Sequence, residues 1–202
     1  MNLTRVTYDM KETNNILVKN ILHMFERRGI LDNFESEYES IKETIEPNKV
    51  IKTKLNNGSN ALIYLINDKV TSVTQNSPID EFLSSNTNLK KIVVINEPSK
   101  KAFKQIMENY PNSEPFFQNE FMEDIPAKEI IPEHRLLNEE EKKELFDVIE
   151  MNNLKKIYTT DMMSRYFNAR PEEIFRINRK NSTSGNGIDY RVVVNGKLDL
   201  LF

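Results

Sequence analysis

Cysteine is absent from this 202-residue chain. Without a thiol the protein has no disulfide framework and no thiolate metal site, and a reducing compartment is the expected setting. Only two histidines are present, His23 and His134, and they are far apart in the sequence. A zinc site would therefore have to recruit carboxylates, and we predict no metal and no cofactor.

Long apolar runs are missing as well. Nowhere do 18 apolar residues occur in succession, and the first nine residues lack an apolar signal-peptide core. We therefore expect an intracellular protein that does not span a membrane. The Walker loop and the GxGxxG, GxSxG and HExxH patterns are absent, which removes the common nucleotide, hydrolase and zinc-protease signatures. We expect no small-molecule substrate.

The composition is typical of a folded protein, with 38% hydrophobic and 29% charged residues but only 5 glycines and 8 prolines. The net charge of −3 argues against binding nucleic acid by bulk charge alone. Residues 155–191, however, contain 8 basic and 4 acidic side chains. The excess of basic side chains is therefore confined to this part of the chain.

The first part of the chain predicts an α/β layered domain. Its patterns predict, in order, helices over 10–28 and 34–45, a hairpin of 50–55 and 61–66, a helix over 78–85, a buried strand over 90–95, a helix opened by Pro98, and a returning strand near Phe116. The inner face of the helix after Pro98 is predicted to be Phe103, Ile106, Met107 and Tyr110. Strand, helix and returning strand indicate a βαβ unit.

Two prolines, Pro126 and Pro132, mark a connection, and we place the domain boundary there, giving domains 1–129 and 130–202. The second domain is predicted to be a small mixed α/β fold. Its patterns predict a helix running to Glu150 after an Asn138 and Glu141 capping box, a helix over 162–167 capped by Thr160 or Asp161, and a hairpin of 173–179 and 189–194 joined by a loop at 182–187.

Three stretches carry candidate chemistry. In 131–145, Glu140 with Lys142 and Glu141 with Lys143 imitate part of a metal-dependent nuclease site. Residues two apart on a helix do not face each other, so a solvated helix face is the better interpretation.

Arginines interleave with aromatic residues between 160 and 191, namely Arg165, Arg170, Arg176, Arg179 and Arg191 with Tyr166, Phe175 and Tyr190. This chemistry suits a protein interface or a nucleic-acid groove, and the acidic chain favours the interface. Strand alternation places Phe175, Ile177 and Arg179 on one face and Ile174, Arg176 and Asn178 on the other, which predicts a mixed surface.

The third stretch, residues 96–103, joins a strand end to a helix start. Backbone N–H groups there, with Ser99, Lys100 and Lys101, are able to approach a phosphate. A first-turn Pro98 followed by two solvated lysines is the simpler interpretation.

The C-terminal motifs, in this order, resemble the fifth common subunit of eukaryotic-type DNA-dependent RNA polymerases and its archaeal counterpart. That family has Val-Pro-x-His before a Glu-rich helix, then Leu-Pro-x-Ile, Asp-Pro-x-x-Arg-Tyr, Arg-x-Ser-Glu-Thr-Ala-Gly and Tyr-Arg. Similar positions here are Ile131, Pro132 and His134; 139–143; Leu154 and Ile157; Asp161, Arg165 and Tyr166; Arg179, Thr183 and Gly185; Tyr190 and Arg191. Residues 27–29, 90–95 and 114–134 are also similar to the N-terminal jaw domain of that family.

The resemblance implies a noncatalytic subunit whose C-terminal assembly domain docks on the largest polymerase subunit and whose N-terminal jaw domain lies near downstream duplex DNA. The interface residues implied are Pro132, His134, Arg165, Tyr166, Arg179, Thr183, Gly185, Tyr190 and Arg191. Pro98, Ser99, Lys100 and Lys101 are the implied sequence-independent contact with the DNA backbone. The alternative is a stand-alone DNA-binding or nuclease-like α/β protein.

The chain also departs from that family. Met162 stands where the family has Pro, and residues 195–202 extend past its usual end. Their apolar tail is expected to pack either on this module or on a neighbouring subunit. The shortened, Asn-rich sequence suits a protist gene or a large DNA virus. We expect a nuclear protein if it is cellular, and one of the host cytoplasm and the virion if it is viral.

Overall fold

A computed structural model describes residues 8–181 and 185–202 of the chain. The chain divides into two compact units, the first ending at Glu123 and the second beginning at Asp124. Sequence patterns placed the boundary between residues 129 and 130, within the same Pro-containing connection. Each unit contains one four-stranded sheet.

Between residues 8 and 123, the first unit has four α-helices and four strands. They are α1 (Met10–Arg27), α2 (Phe34–Ile41), β1 (Val50–Lys54), β2 (Asn60–Val70), α3 (Pro78–Ser84), β3 (Lys90–Pro98), α4 (Lys100–Asn109) and β4 (Ser113–Phe117). The strand order is β1-β2-β3-β4, with β1 antiparallel to β2 and the other three strands parallel. The predicted βαβ unit is confirmed as β3, α4 and β4.

Helix α1 forms because its start is capped and one side is apolar. The Asp9 carboxylate accepts from the Glu12 N–H at 2.7 Å, and Glu12 accepts from the Asp9 N–H at 3.3 Å, which completes a capping box. The apolar side is buried. Gly29, with a φ of 69°, follows the helix in the left-handed conformation typical of helix ends.

Both faces of the first sheet are buried. Helices α3 and α4 cover one face, where Leu62, Tyr64, Ile66, Val93 and Ile95 pack with Phe82, Leu83, Ala102 and Ile106. The opposite face carries Ile63, Leu65, Ile92 and Val94, each 1% exposed or less. Glu114 points to this second face and binds Arg28, the residue that follows α1, so α1 lies on this side. Helices therefore lie on both sides of the sheet, as an α/β layer requires.

Two details of the predicted α4 were wrong. Pro98 does not open the helix, because it pairs with Val70 in the sheet and Ser99 is the N-cap. Met107 is not on the inner face but 40% exposed. Ala102 and Ile106 are buried, and Met107 lies about 100° further round the helix than Ile106.

The second unit contains β5 (Glu133–Leu136), α5 (Glu139–Phe146), β6 (Lys155–Tyr158), α6 (Met162–Tyr166), β7 (Ile174–Asn181) and β8 (Gly185–Val194). The order is β5-β7-β8-β6, with β6 parallel to β8 and the other pairs antiparallel. Strand β6 was not predicted, and β5 was predicted only as an extended element, because each has only four residues. Helix α5 ends at Phe146, before the β-branched Val148 and Ile149, and not at Glu150.

The predicted hairpin is confirmed as β7 and β8, but its loop is shorter than predicted. Gly185 pairs with Asn181 and Gly187 pairs with Arg179, so residues 185–187 belong to β8. Strand β7 alternates as predicted, with Phe175, Ile177 and Arg179 on one face and Ile174, Arg176 and Asn178 on the other. Both faces are mixed, and their apolar members are buried. Ile174, Phe175 and Ile177 are each 1% exposed or less, because apolar clusters cover both faces of the strand.

Candidate functional site

The register of the second sheet gathers several polar residues on one face. Directly paired residues project from the same face of a sheet. His134, Ile177 and Asp189 form one row across β5, β7 and β8. Leu136, Phe175, Arg191 and Lys155 form the next row, and Arg179 lies two residues beyond Ile177. We call the residues His134, Lys155, Arg179, Asp189 and Arg191 the hairpin face.

Asp189 is the centre of the hairpin face. Its carboxylate accepts from Lys155 Nζ at 3.0 Å and from Arg191 Nε at 3.3 Å, and Arg179 Nη2 lies 3.8 Å away. Burial would raise the pKa of Asp189, but the hydrogen bonds from Lys155 and Arg191 outweigh burial and lower it below its ordinary value. The carboxylate is therefore charged at neutral pH.

His134 is held in one orientation. Its Nδ1 lies 2.7 Å from the carbonyl oxygen of Pro132, so Nδ1 carries the proton and donates it. The ring meets Phe175 edge to face at 5.7 Å. Burial lowers the pKa of His134, and Arg191 and Arg179 lower it further, although the Pro132 carbonyl and Asp161 oppose the shift. The imidazole is therefore neutral at pH 7.

A series of rings leads from His134 to helix α6. Phe175 lies 5.8 Å from Phe167, which lies 5.4 Å from Tyr166. Asp161, rather than Thr160, caps this helix, because its carboxylate accepts from the Met163 N–H at 2.8 Å.

The sequence-predicted interface residues do not all lie at the surface. Tyr166 is 2% exposed and Arg165 is 9% exposed, so both are buried. Tyr190 pairs with Arg176 and packs on the opposite face of the sheet, with the apolar cluster around Ile174. Gly185 begins β8 with a φ of 75°. Thr183 lies outside the described residues.

Lys155 and Asp189 belong to the hairpin face, yet sequence reasoning missed both as site residues. Lys155 reaches the face only because β6 pairs with β8, and β6 was not predicted. Asp189 immediately precedes the Tyr190 and Arg191 motif. That position, opposite Ile177 in the hairpin, is the signal that could have located it.

The second candidate contact lies where β3 meets α4. The Ser99 N–H donates to the Val70 carbonyl at 2.8 Å, and the Ser99 hydroxyl donates to the Thr71 carbonyl at 2.6 Å. The same hydroxyl accepts from the Ala102 N–H at 3.1 Å. Both hydrogen-bond donors of Ser99 are thus used in fixing the start of α4, so other groups would have to donate hydrogen bonds to a phosphate.

Lys100 and Lys101 are exposed in the first turn of α4, which contains no acidic residue. The N-terminus of a helix carries partial positive charge, so two lysines there add to a potential that attracts anions. This end of α4 also follows the carboxyl end of a parallel strand, where open α/β sheets commonly bind ligands. Pro98 to Lys101 therefore form a compact positive corner of the first unit.

Within the described ranges, no group of three or more histidine and carboxylate side chains is arranged to hold a metal ion. Of the helices described, none has the length and apolar character required to cross a lipid bilayer.

A family model and several relatives match the chain. The model of the C-terminal domain of RNA polymerase Rpb5 matches residues 123–193. The DNA-directed RNA polymerase subunit 5 of Acanthamoeba polyphaga mimivirus is 32% identical over a match of 192 residues, and the match covers 89% of this chain and 91% of the viral protein. Subunit RPABC1 of RNA polymerases I, II and III from Caenorhabditis elegans is 36% identical over 83 residues, covering 40% of this chain and 39% of the relative.

A third relative, subunit Rpo5 of the RNA polymerase of Thermococcus celer, is 41% identical over 73 residues, which is 35% of this chain and 89% of the relative. The similarity to the viral protein extends over both units. This chain belongs to the RNA polymerase subunit 5 family. The resemblance inferred from the C-terminal motifs is confirmed.

Proposed function

We propose that the chain is a noncatalytic structural subunit of a multisubunit DNA-dependent RNA polymerase, and that its second unit docks on the largest subunit. The observation that carries this proposal is the hairpin face, where His134, Arg179 and Arg191 come together. Arginine is a favoured anchor of protein interfaces. The relatives that match this chain are named as polymerase subunits, which also supports the proposal. Pro132 contributes by orienting His134.

Tyr166 and Arg165 support the docking unit from within, because both are buried. The rings of Phe167 and Phe175 connect Tyr166 to the hairpin face. The partner would therefore contact the arginines and His134 and not Tyr166. The roles of Gly185 and Tyr190 are to shape the hairpin that presents the arginines.

The first unit would contribute to the jaw that holds downstream duplex DNA. Pro98, Ser99, Lys100 and Lys101 would lie near the DNA, with Ser99 fixing the corner and the lysines facing the phosphates. Contacts of this kind position a protein on a duplex without reading its sequence. Their strength would fall as salt rises, because bound counterions are released from the DNA.

The proposed subunit uses no cofactor, no metal and no small-molecule substrate, and its partners are the largest subunit, other polymerase subunits and downstream DNA. A cellular form would act in the nucleus. A virus-encoded form would act in the host cytoplasm and be packaged in the virion.

Purification through a tag on this chain tests the proposal. The expected result is recovery of the two large polymerase subunits in stoichiometric amounts after nuclease treatment. Their reproducible absence would refute the proposal. In that case the alternative of a stand-alone DNA-binding protein predicts micromolar or tighter binding of the isolated chain to duplex DNA, with a steep salt dependence.

A further inference from the structure

The hairpin face carries positive charge that its own carboxylate does not balance. Three cationic groups, Lys155, Arg179 and Arg191, lie within 3.8 Å of the single carboxylate of Asp189. The Lys155 and Arg179 side chains are 70% and 47% exposed, whereas that of Asp189 is 16% exposed. The two most exposed cations therefore present their charge to solvent.

The geometry points to an acidic protein segment as the partner of the hairpin face, with its carboxylates bonded to Lys155 and Arg179. This inference rests on the proposed function and adds the chemistry of the partner surface. Guanidinium groups bind carboxylates through two parallel hydrogen bonds, and charge complementarity steers a partner and fixes its register. Arg179 is suited to that role because its distance from Asp189, 3.8 Å, leaves it the least committed of the three cations.

A nucleic-acid strand fits the hairpin face less well. Asp189 lies in the middle of the cations, where it would repel a phosphate. Single strands also need exposed aromatic faces on which bases stack. Among the side chains described, Tyr158 and Tyr190 pair with Val194 and Arg176 and therefore project from the opposite face of the sheet.

The neighbouring lysine on the same strand provides a matched control. Lys155 and Lys156 are both exposed, but they project from opposite faces because they pair with Arg191 and Val192. The tagged chain is expressed with the polymerase as wild type, Lys155→Glu, Lys155→Ala or Lys156→Glu. Recovery of the large subunits is measured as salt increases, and thermal unfolding of each purified chain checks its fold.

We expect Lys155→Glu to lower recovery roughly tenfold relative to Lys156→Glu, with Lys155→Ala intermediate. If all four chains recovered the large subunits equally, the inference of an acidic partner would be overturned and the subunit assignment would stand. Failure of the wild-type chain to recover polymerase subunits would contradict both the subunit assignment and the acidic partner. If the isolated wild-type chain bound a DNA probe and Lys155→Glu abolished that binding, nucleic acid would replace the acidic protein as the ligand.

Carbodiimide coupling of the assembled enzyme identifies the contact directly. The reagent condenses the Lys155 amine with a nearby carboxylate to an amide, and the carbodiimide takes up the water that is lost and becomes a urea. In the free chain the product is the Lys155 to Asp189 amide, because those groups lie 3.0 Å apart. In the assembled enzyme we expect mass spectrometry to find Lys155 joined to an Asp or Glu of another subunit. Finding only the Lys155 to Asp189 product there would contradict the inference.

Discussion

Arg28 donates two hydrogen bonds to the carboxylate of Glu114, at 3.1 and 2.7 Å, across 86 residues of sequence. The Arg28 side chain is 5% exposed and that of Glu114 is 16% exposed. Lys90 lies 3.3 Å from the same carboxylate. This paired interaction joins the end of α1 to the start of β4 and ties a helix layer to the sheet.

Replacing Arg28 by Ala should lower the free energy of unfolding by about 2–4 kcal/mol, because the largely buried Glu114 then depends on Lys90 for a cationic partner. Urea unfolding followed by circular dichroism measures the change. Arg28→Lys should recover part of the loss, since it keeps the charge but not the paired bonds. As a control, Lys104→Ala removes an exposed ion pair with Glu108 and should cost less than about 0.5 kcal/mol. Equal stability of Arg28→Ala and the control would disprove this role.

Acid should weaken the second unit through Glu141. The Arg135 guanidinium, which donates to Glu141 at 2.6 and 2.8 Å, and the Asn138 N–H lower the pKa of Glu141 to about 2. A carboxyl with a lowered folded-state pKa stabilises fully above its unfolded value of about 4.5, and this contribution is lost as the pH falls toward 2. Glu141→Gln should therefore flatten the stability profile between about pH 5 and pH 2, measured by urea unfolding. A wild-type profile no steeper than that of Glu141→Gln would count against the pair.

His134 should titrate below the ordinary histidine value. Partial burial of its ring lowers the pKa, and the neighbouring Arg191 and Arg179 also disfavour a second proton. Two-dimensional NMR of the imidazole, assigned with His134→Gln, measures the pKa, and Arg179→Ala should raise it toward 6.5. A folded-state pKa below 6.5 also means that stability falls as the pH drops from 6.5 through the lowered value. A wild-type pKa above 6.5 would contradict the described surroundings of the half-buried ring.

Reversing both lysines at the start of α4 should separate DNA retention from assembly. Lys100→Glu with Lys101→Glu is expected to leave polymerase assembly intact while weakening retention of downstream duplex, with a smaller salt dependence than wild type. Filter binding of the assembled enzyme measures retention. Lys104→Glu, about one turn further along the same helix, is the control. Loss of assembly with the double variant would place this corner at a subunit interface instead.

Local signals predicted much of the fold. Apolar side chains spaced three and four apart identified α1, Asn138 and Glu141 identified the start of α5, and the glycine and asparagine cluster identified the first hairpin. Strand β6 was not predicted, because its four residues have little alternation. Its parallel pairing with β8 depends on contacts between residues distant in sequence. Motif order, and not periodicity, pointed to the family.

The hairpin face was only partly predictable for the same reason. His134, Arg179 and Arg191 were named from motifs, but the register that makes Asp189 a neighbour of the two arginines and places His134 in the same row was not predictable. The burial of Tyr166 could not be predicted from the sequence, because the ring contacts through Phe167 and Phe175 form only when the sheet is folded. Lys91 is a further example. It is 1% exposed and donates to the backbone carbonyls of Leu83 and Ser85 at the end of α3, a role that no sequence pattern indicates.

A density map of the polymerase purified through a tag on this chain, bound to a duplex with a transcription bubble, tests the central claim most directly. The predicted map shows the second unit on the largest subunit, with the hairpin face in the contact, and the first unit beside the incoming duplex with Lys100 and Lys101 toward its phosphates. A map in which the second unit faces solvent, or in which the chain is absent from the enzyme, would contradict the account.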